Sequence, residues 1–226
     1  MTRIAVIDFE TTGSTPGRGA RATEIAMVMV EGGQITGSFQ SLMNGGVWIP
    51  PFITQLTGIS NDMVAAAPPA QDVMREAHGF VGGAPMVAHN AAFDQSFWRA
   101  ELARADLQPA HAFACTVRLS RRLFPNAPNH KLGTLLHYHG IASAGPAHRA
   151  LADASVTAHM LLRMQTHLQL HWDIETPDHA FLRALQACSA ARVHDFLLRN
   201  SRGAPSTPHA ASPPSYARTK LSKRPL

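Results

Sequence analysis

Two carboxylates lie one residue apart at the end of the chain's first apolar run, Arg3-Ile4-Ala5-Val6-Ile7-Asp8-Phe9-Glu10-Thr11-Thr12-Gly13. Residues i and i+2 of a strand point to the same face, so Asp8 and Glu10 present their charges side by side. Ile4 and Val6 make one face of the preceding run apolar, and Ala5 and Ile7 the other. That is the pattern of a central strand covered on both sides. Charges so placed repel one another unless something positive lies between them, and the usual answer is a hard divalent cation.

Two later segments carry the remaining chemistry. Val87-Ala88-His89-Asn90-Ala91-Ala92-Phe93-Asp94 runs from the end of a short strand into a helix, where a loop can aim polar groups into a site. Pro146-Ala147-His148-Arg149-Ala150-Leu151-Ala152-Asp153 opens a late helix. Five residues of α-helix turn through about 500°, so His148 and Asp153 cannot share a helical face. Gly145-Pro146 disfavours helix upstream, which leaves His148 on a loop or first turn over a site that Asp153 reaches from the helix.

Together the three segments read D-x-E-T-T-G, H-N-x-x-F-D and H-x-x-x-x-D, in that order. They resemble the three exonuclease motifs of the DEDDh, or DnaQ-like, 3′→5′ exonucleases, a family that includes the proofreading epsilon subunit of bacterial DNA polymerase III. Leu56-Thr57-Gly58-Ile59-Ser60-Asn61-Asp62-Met63-Val64 is similar to the family's segment between the first two motifs. Cys115-Thr116-Val117-Arg118-Leu119-Ser120-Arg121 and His130-Lys131-Leu132-Gly133-Thr134-Leu135 resemble its approach to the third.

The resemblance implies an α/β chain of RNase H-like fold, a mixed five-stranded sheet flanked by helices. It implies that Asp8, Glu10 and Asp153 ligate one Mg²⁺ or Mn²⁺, that Asp8 bridges to a second ion, and that Asp94 holds the second through water. His148 would orient the attacking water and take its proton, a role that suits an imidazole near neutral pH. Thr11, Thr12 and Gly13 resemble positions that receive the terminal nucleotide, and His89 and Asn90 resemble residues that support the substrate backbone. Phe9 and Phe93 read as core or wall residues rather than stacking platforms. The implied product is a nucleoside 5′-monophosphate released from the 3′ end of DNA. RNA remains open as the substrate, and so does a non-catalytic module that binds a polymerase, although all four acids and the histidine are present.

The elements that must position these residues follow from periodicity. Strands are expected near 3–9, 23–31 and 34–42, the last two joined by a Gly32-Gly33 turn. Short helical pieces near 53–57 and 61–64 precede a helix over 71–81. Short strands at 85–88 and 112–115 alternate with helices over 91–105, 117–123 and 132–139, and a long helix covers 149–168. A meander followed by alternating strands and helices makes a mixed sheet. The expected division is an exonuclease domain over 1–170, a C-terminal helical appendage over 171–199 and a disordered basic tail over 200–226. In the appendage, Leu182, Leu185, Val193, Phe196 and Leu197 recur at helical spacing, interrupted by Ser189.

Charge bears on partners. The 226 residues carry 20 Lys plus Arg against 15 Asp plus Glu. Arg202, Arg218, Lys220, Lys223 and Arg224 lie beyond Asn200 without an acid, so the remainder is formally neutral and the excess belongs to the tail. Such a tail reads as a solvated terminus or as a weak, salt-sensitive contact to nucleic acid. Cys115 and Cys188 form no zinc or redox motif, and His137-Tyr138-His139 reads as ordinary surface or packed rings. With no signal peptide and no membrane-length apolar run, the expected compartment is the cytoplasm. Finally, Gln165-Thr166-His167-Leu168-Gln169-Leu170 resembles the Q-x-x-[LM]-x-[FL] peptides that dock replication proteins on the bacterial sliding clamp. Leu168 and Leu170 would be its anchors, unless the segment simply continues the helical stripe of Leu161 and Met164.

Overall fold

The computed structural model, which describes residues 3–142, 145 and 148–203, is built around the apolar run that begins the chain. That run is β1 (Ile4–Thr11), and with β2 (Ala22–Glu31), β3 (Gln34–Leu42), β4 (Met86–Ala88) and β5 (Phe113–Cys115) it forms one sheet in the order β3-β2-β1-β4-β5. β1 pairs antiparallel with β2 and parallel with β4, so it takes the central place that its two apolar faces demand. The meander β1-β2-β3 is antiparallel throughout, whereas β4 and β5 follow crossovers and run parallel.

Helices cover both faces. α1 (Pro51–Thr57) and α2 (Asn61–Ala65) form a small annex whose Ile53, Ile59 and Val64 pack together with Leu42 at the end of β3. α3 (Ala70–Val81) and α4 (Ala91–Arg104) cover the face carrying Ala5, Ile7 and Phe9, with Phe97 and Trp98 wholly enclosed. α5 (Thr116–Leu123), α6 (Leu132–His139) and α7 (Ala150–Trp172) lie on the face of Ile4 and Val6. Side-chain alternation places Asp8 and Glu10 on that same face, toward α7. The long helix is therefore the element on that face placed to deliver groups to them.

α8 (His179–Ala187) and α9 (Val193–Asn200) close the chain. The sequence pattern gave these as one amphipathic segment, but the structure breaks it. Cys188 and Ser189 are both extended, and a 3₁₀ turn over Ala190–Arg192 follows. The reason is tertiary: Arg122 of α5 donates to the Cys188 carbonyl at 2.9 Å, so that carbonyl serves the core helix instead of a continuous α8. Both helices join the main core through Leu182, Leu185, Val193 and Leu197. Gln186 receives the Cys115 N–H at 2.7 Å and donates to the Phe113 carbonyl, giving the edge strand β5 a side-chain substitute for a sixth strand.

Two further expectations change. α7 runs on to Trp172, so Gln165–Leu170 is helix and not a free peptide. Leu168 is completely buried, and the Gln165 amide donates to the Pro177 carbonyl at 3.0 Å. Of the two leucines, Leu170 points outward. A clamp-docking peptide must release its anchors, and here core packing holds one of them, Leu168, while a hydrogen bond holds Gln165. The tail is expected from residue 200, but its first residues make contacts with the body. Ser201 and Arg202 fold back, the Arg202 N–H meets the Asp173 carbonyl, and its guanidinium pairs with Glu175. Residues 204–226, with most of the basic tail, lie outside the described residues. No described helix is long and apolar enough to cross a membrane.

Candidate active site

Three elements bring the expected residues together. Asp8 and Glu10 leave the end of β1, where a bulge between Glu10 and Thr11 shifts the pairing with β2 and turns the chain out of the sheet. Asp94 comes from the first turn of α4 and is 1% exposed. It receives the Phe9 N–H on Oδ1 at 3.2 Å, because β4 ends at Ala88 and leaves this part of β1 without a strand partner on that edge. Asp153 comes from the first turn of α7. His148 lies just before that helix, exposed, and donates its backbone N–H to Asp153 Oδ2 at 3.0 Å. One ligand atom each of Glu10, His148 and Asp153 falls within 4.8 Å of the others.

Backbone conformation matters at both loops. Asn90 has φ 68° and His148 has φ 61°, each in the left-handed region. Asn tolerates this state because its short side chain can bond locally; His does so less readily, and such conformations gather where function constrains a loop. At Asn90 the turn lets β4 pass directly into α4.

The electrostatics are those of a crowded acid cluster. Burial raises the Asp8 carboxyl well above its ordinary value, and Asp94, Glu10, Asp153 and Glu24 raise it further. Glu10 is pushed up to about 8 by burial, then by Asp153 and Glu24, with Arg149 acting in the opposite sense. Asp94 also rises to about 8, chiefly through burial, although two backbone N–H groups favour its charge. Asp153 is raised by burial against the favourable His148 N–H. All four carboxyls are shifted toward the protonated form, and a divalent cation would supply the positive charge that favours their ionised state.

The neighbouring residues divide into two groups. Thr11 and Thr12 are buried and spend their hydroxyls on the loop itself: Thr11 Oγ1 donates to Gly13 O at 2.7 Å, and Thr12 Oγ1 accepts the Arg21 N–H at 3.0 Å. A Cβ at Gly13 would lie 3.4 Å from Ala20 Cβ, a close but ordinary contact. His89 shares a 2.9 Å hydrogen bond between Nδ1 and Thr116 Oγ1, and burial lowers its pKa to about 4 against a hydrogen bond to the His130 backbone. It is a neutral brace between β4 and α5. The Asn90 amide is exposed. Phe9 and Phe93 both pack on Phe97, in keeping with wall positions.

Sequence reasoning missed Glu24 and Arg149. Glu24 lies opposite Glu10 on β2 and has no exposed surface. It receives Arg149 Nη2 at 2.9 Å, Arg149 Nε at 3.2 Å, the Ala150 N–H at 3.1 Å and Gln40 Nε2 at 2.7 Å. This fastens the start of α7, and with it His148 and Asp153, to the strand beside Glu10. The available signal was one charged residue inside the apolar run Ala22–Val30.

Comparison with known proteins agrees with this geometry. A family model described as "Exonuclease" (RNase_T) matches residues 5–161. The chain belongs to this exonuclease family. Among its relatives, "3′-5′ exonuclease DinG" of Bacillus subtilis is 42% identical over 168 residues, covering 74% of this chain and 18% of that protein. A "DNA polymerase III subunit epsilon-like protein" of Rhodobacter capsulatus is 40% identical over 164 residues, covering 71% of this chain and 23% of its own length. The chain thus aligns with less than a quarter of either curated relative. Exonuclease X, solved with 5′ overhanging duplex DNA, superposes with a TM-score of 0.59 at 26% identity, covering 86% of this chain and 99% of that one. The exonuclease-family fold is the one built here from β1 outward.

Proposed function

We propose that the chain is a metal-dependent 3′→5′ exonuclease that shortens DNA from its 3′ end, releasing nucleoside 5′-monophosphates. The observation that carries this is the convergence of Asp8, Glu10, Asp94 and Asp153 from β1, α4 and α7, with His148 beside them. The donor set fits Mg²⁺ or Mn²⁺: it is all oxygen, and its carboxyls are driven toward protonation for want of a cation. Asp8, Glu10 and Asp153 would hold one ion, and Asp8 and Asp94 a second. When bound, the ions supply the positive charge that steadies the attacking and leaving oxygens of an in-line displacement.

The chain's own residues do the rest. His148 accepts the proton of the attacking water, whose oxygen forms the new bond to phosphorus. The bond from phosphorus to the 3′-oxygen of the preceding nucleotide breaks, and that oxygen leaves with the shortened strand. Asp153 holds the His148 loop by its backbone N–H, so the imidazole approaches from the helix side. The Thr11–Gly13 loop and Asn90 receive the terminal nucleotide between them. Relatives named for DNA polymerase III support a setting in replication or repair beside a polymerase subunit.

The test is digestion of 3′-labelled single-stranded DNA, duplex DNA with a mismatched end, and RNA, each with Mg²⁺, Mn²⁺ or chelator. Stepwise loss of 3′ nucleotides from DNA with either ion, abolished in folded Asp8→Ala, is expected. Faster digestion of RNA would reassign the substrate. Full activity in excess chelator would remove the metal reading.

A further inference from the structure

Far from the acids, one face of α7 gathers groups that carry, or can take up, positive charge. Arg163, Thr166, His167, Leu170 and His171 recur at i, i+3, i+4, i+7 and i+8, a single stripe of the helix. With Phe124, and with His139 at the end of α6, they line a cavity of about 50 Å³. His167 follows Asp153 by 14 residues, about 21 Å along the helix axis. The cavity is therefore separate from the catalytic centre. Its walls touch across elements: the Phe124 ring centre lies 4.3 Å from that of His139 and 5.0 Å from that of His167. The His167 and His171 rings are 4.6 Å apart.

The polar groups of this cavity are left unpaired. The side chains of Arg163, Thr166, His167 and His171 make no hydrogen bond or ion pair among the described residues. His139 Nε2 is enclosed and also lacks a hydrogen-bond partner, a costly state that a ligand would relieve. The sign of the charge selects the ligand. Arg163 is a permanent cation; after burial itself, it is among the neighbours that hold both His139 and His167 toward their neutral forms. No carboxylate or thiol lines the cavity, so a metal ion would meet repulsion with nothing to balance it. Among the described residues, the group of three whose ligand atoms come within 4.8 Å of one another is Glu10, His148 and Asp153, not these imidazoles. An anion, by contrast, finds a guanidinium fork, a hydroxyl, and imidazoles that donate from both nitrogens once protonated. Size narrows the class further. One water takes roughly 10–15 Å³ of such space, so the cavity admits about four atoms of that size. That matches the oxygens of one tetrahedral group and excludes a nucleobase.

We propose that this cavity is a phosphate-binding site, sized for the phosphate group alone, with Arg163, His167 and His171 as its donors. His139 closes its inner side through Nε2. Leu170, the most exposed of the large apolar residues, offers an apolar surface to a nucleoside that carries the phosphate. The ligand is thus either the free ion or a phosphate monoester. The site does not depend on the nuclease reading and would stand if that reading failed.

The experiment follows the histidine ring signals of the full chain by NMR, assigned with His167→Gln and His171→Gln, in chelator. Sodium phosphate, thymidine 5′-monophosphate and sodium chloride are titrated at matched ionic strength. Phosphate or the nucleotide should move the His167 and His171 signals saturably, with a Kd of about 1 mM or tighter. The tighter of the two identifies the source of the phosphate. Arg163→Met should weaken binding about tenfold, the loss of one charge-assisted pair. Arg163→Lys, which keeps the charge without the fork, should recover part of it. Arg75→Ala, on another helix, should bind as wild type does. Because a bound anion favours the imidazolium, the His167 midpoint should rise from about 4 against the opposing pull of Arg163, His139 and His171. Shifts with chloride equal to those with phosphate, or an Arg163→Met response equal to wild type, would overturn the proposal. So would broadening of these signals by Ni²⁺ in chelator-free buffer without any response to phosphate, which would make the histidines a cation chelate.

Discussion

Replacing Arg149 with Met would strip Glu24, a carboxylate with no exposed surface, of its guanidinium partner. Of the four hydrogen bonds that Glu24 accepts, two come from Arg149; those from Ala150 N and Gln40 Nε2 survive. Breaking a buried pair on one side costs roughly 3–5 kcal/mol, because a charge is left enclosed. With half the donors kept and Arg149 itself one-third exposed, the lower end applies, about 3 kcal/mol. Glu24→Gln should cost less, about 1 kcal/mol, since the guanidinium it abandons can turn to water. The double variant should lose less than the sum, by about 1–2 kcal/mol. Burial opposes ionisation of Glu24, but hydrogen bonds from Arg149, Gln40 and Ala150 outweigh it and hold the carboxyl below its ordinary 4.5. The pair's contribution is therefore complete above that value and fades as pH falls through the lower folded value. Asp153 is one helical turn beyond Arg149, and a displacement of about 1 Å at such a group costs roughly 10²-fold in rate. Urea unfolding at pH 7 and at pH 3, with kcat and KM on one oligonucleotide, tests all of this. Equal costs for the two single variants, or strict additivity, would refute the reasoning.

Three further outcomes follow from the site and its surroundings. Glu10 and Asp94 carry folded values near 8 against ordinary values of 4.5 and 3.8, so the metal-free protein binds protons that the unfolded chain releases. Its stability should fall as pH rises from about 5 to about 8, Mg²⁺ should raise Tm more at pH 8 than at pH 6, and calorimetry in two buffers should show proton release on binding. His148→Ala should lower kcat by roughly 10²–10⁴-fold with little change in binding; a loss of affinity instead would make His148 a substrate contact. His167 is lowered from 6.5 to about 4, first by burial and then by His171, His139 and Arg163. Its neutral packing contributes stability above pH 6.5 that is lost as pH falls toward 4, so His167→Leu should flatten the Tm profile across that window.

The parts of this architecture legible in the sequence are those governed by short spacings. Asp8 and Glu10 share a face because of the strand's period of two, and His148 stands off α7 because five residues misalign on a helix. Element positions followed the apolar periodicity closely, from β1 to α6. What was hidden depended on contacts distant in sequence. Glu24 meets Arg149 across 125 residues, and no local pattern announces such a pair. The break between α8 and α9 depends on Arg122, and the helical fate of Gln165–Leu170 on a core that encloses Leu168. A short peptide motif and a helical stripe can share the same letters; burial decides between them.

Asp94 completes the hydrogen bonding of β1 as well as standing among the acids, and this bears on how an inactive enzyme should be made. Alanine at 94 would orphan the enclosed Phe9 N–H at a cost of about 1–3 kcal/mol. It would open the strand at the very place where Asp8 and Glu10 emerge, so that a dead variant would also be a loosened one. Asparagine offers the same oxygen to Phe9 while surrendering the charge. For trapping an uncleaved strand in place, Asp94→Asn preserves the stage on which the reaction would have occurred, and Asp94→Ala dismantles part of it.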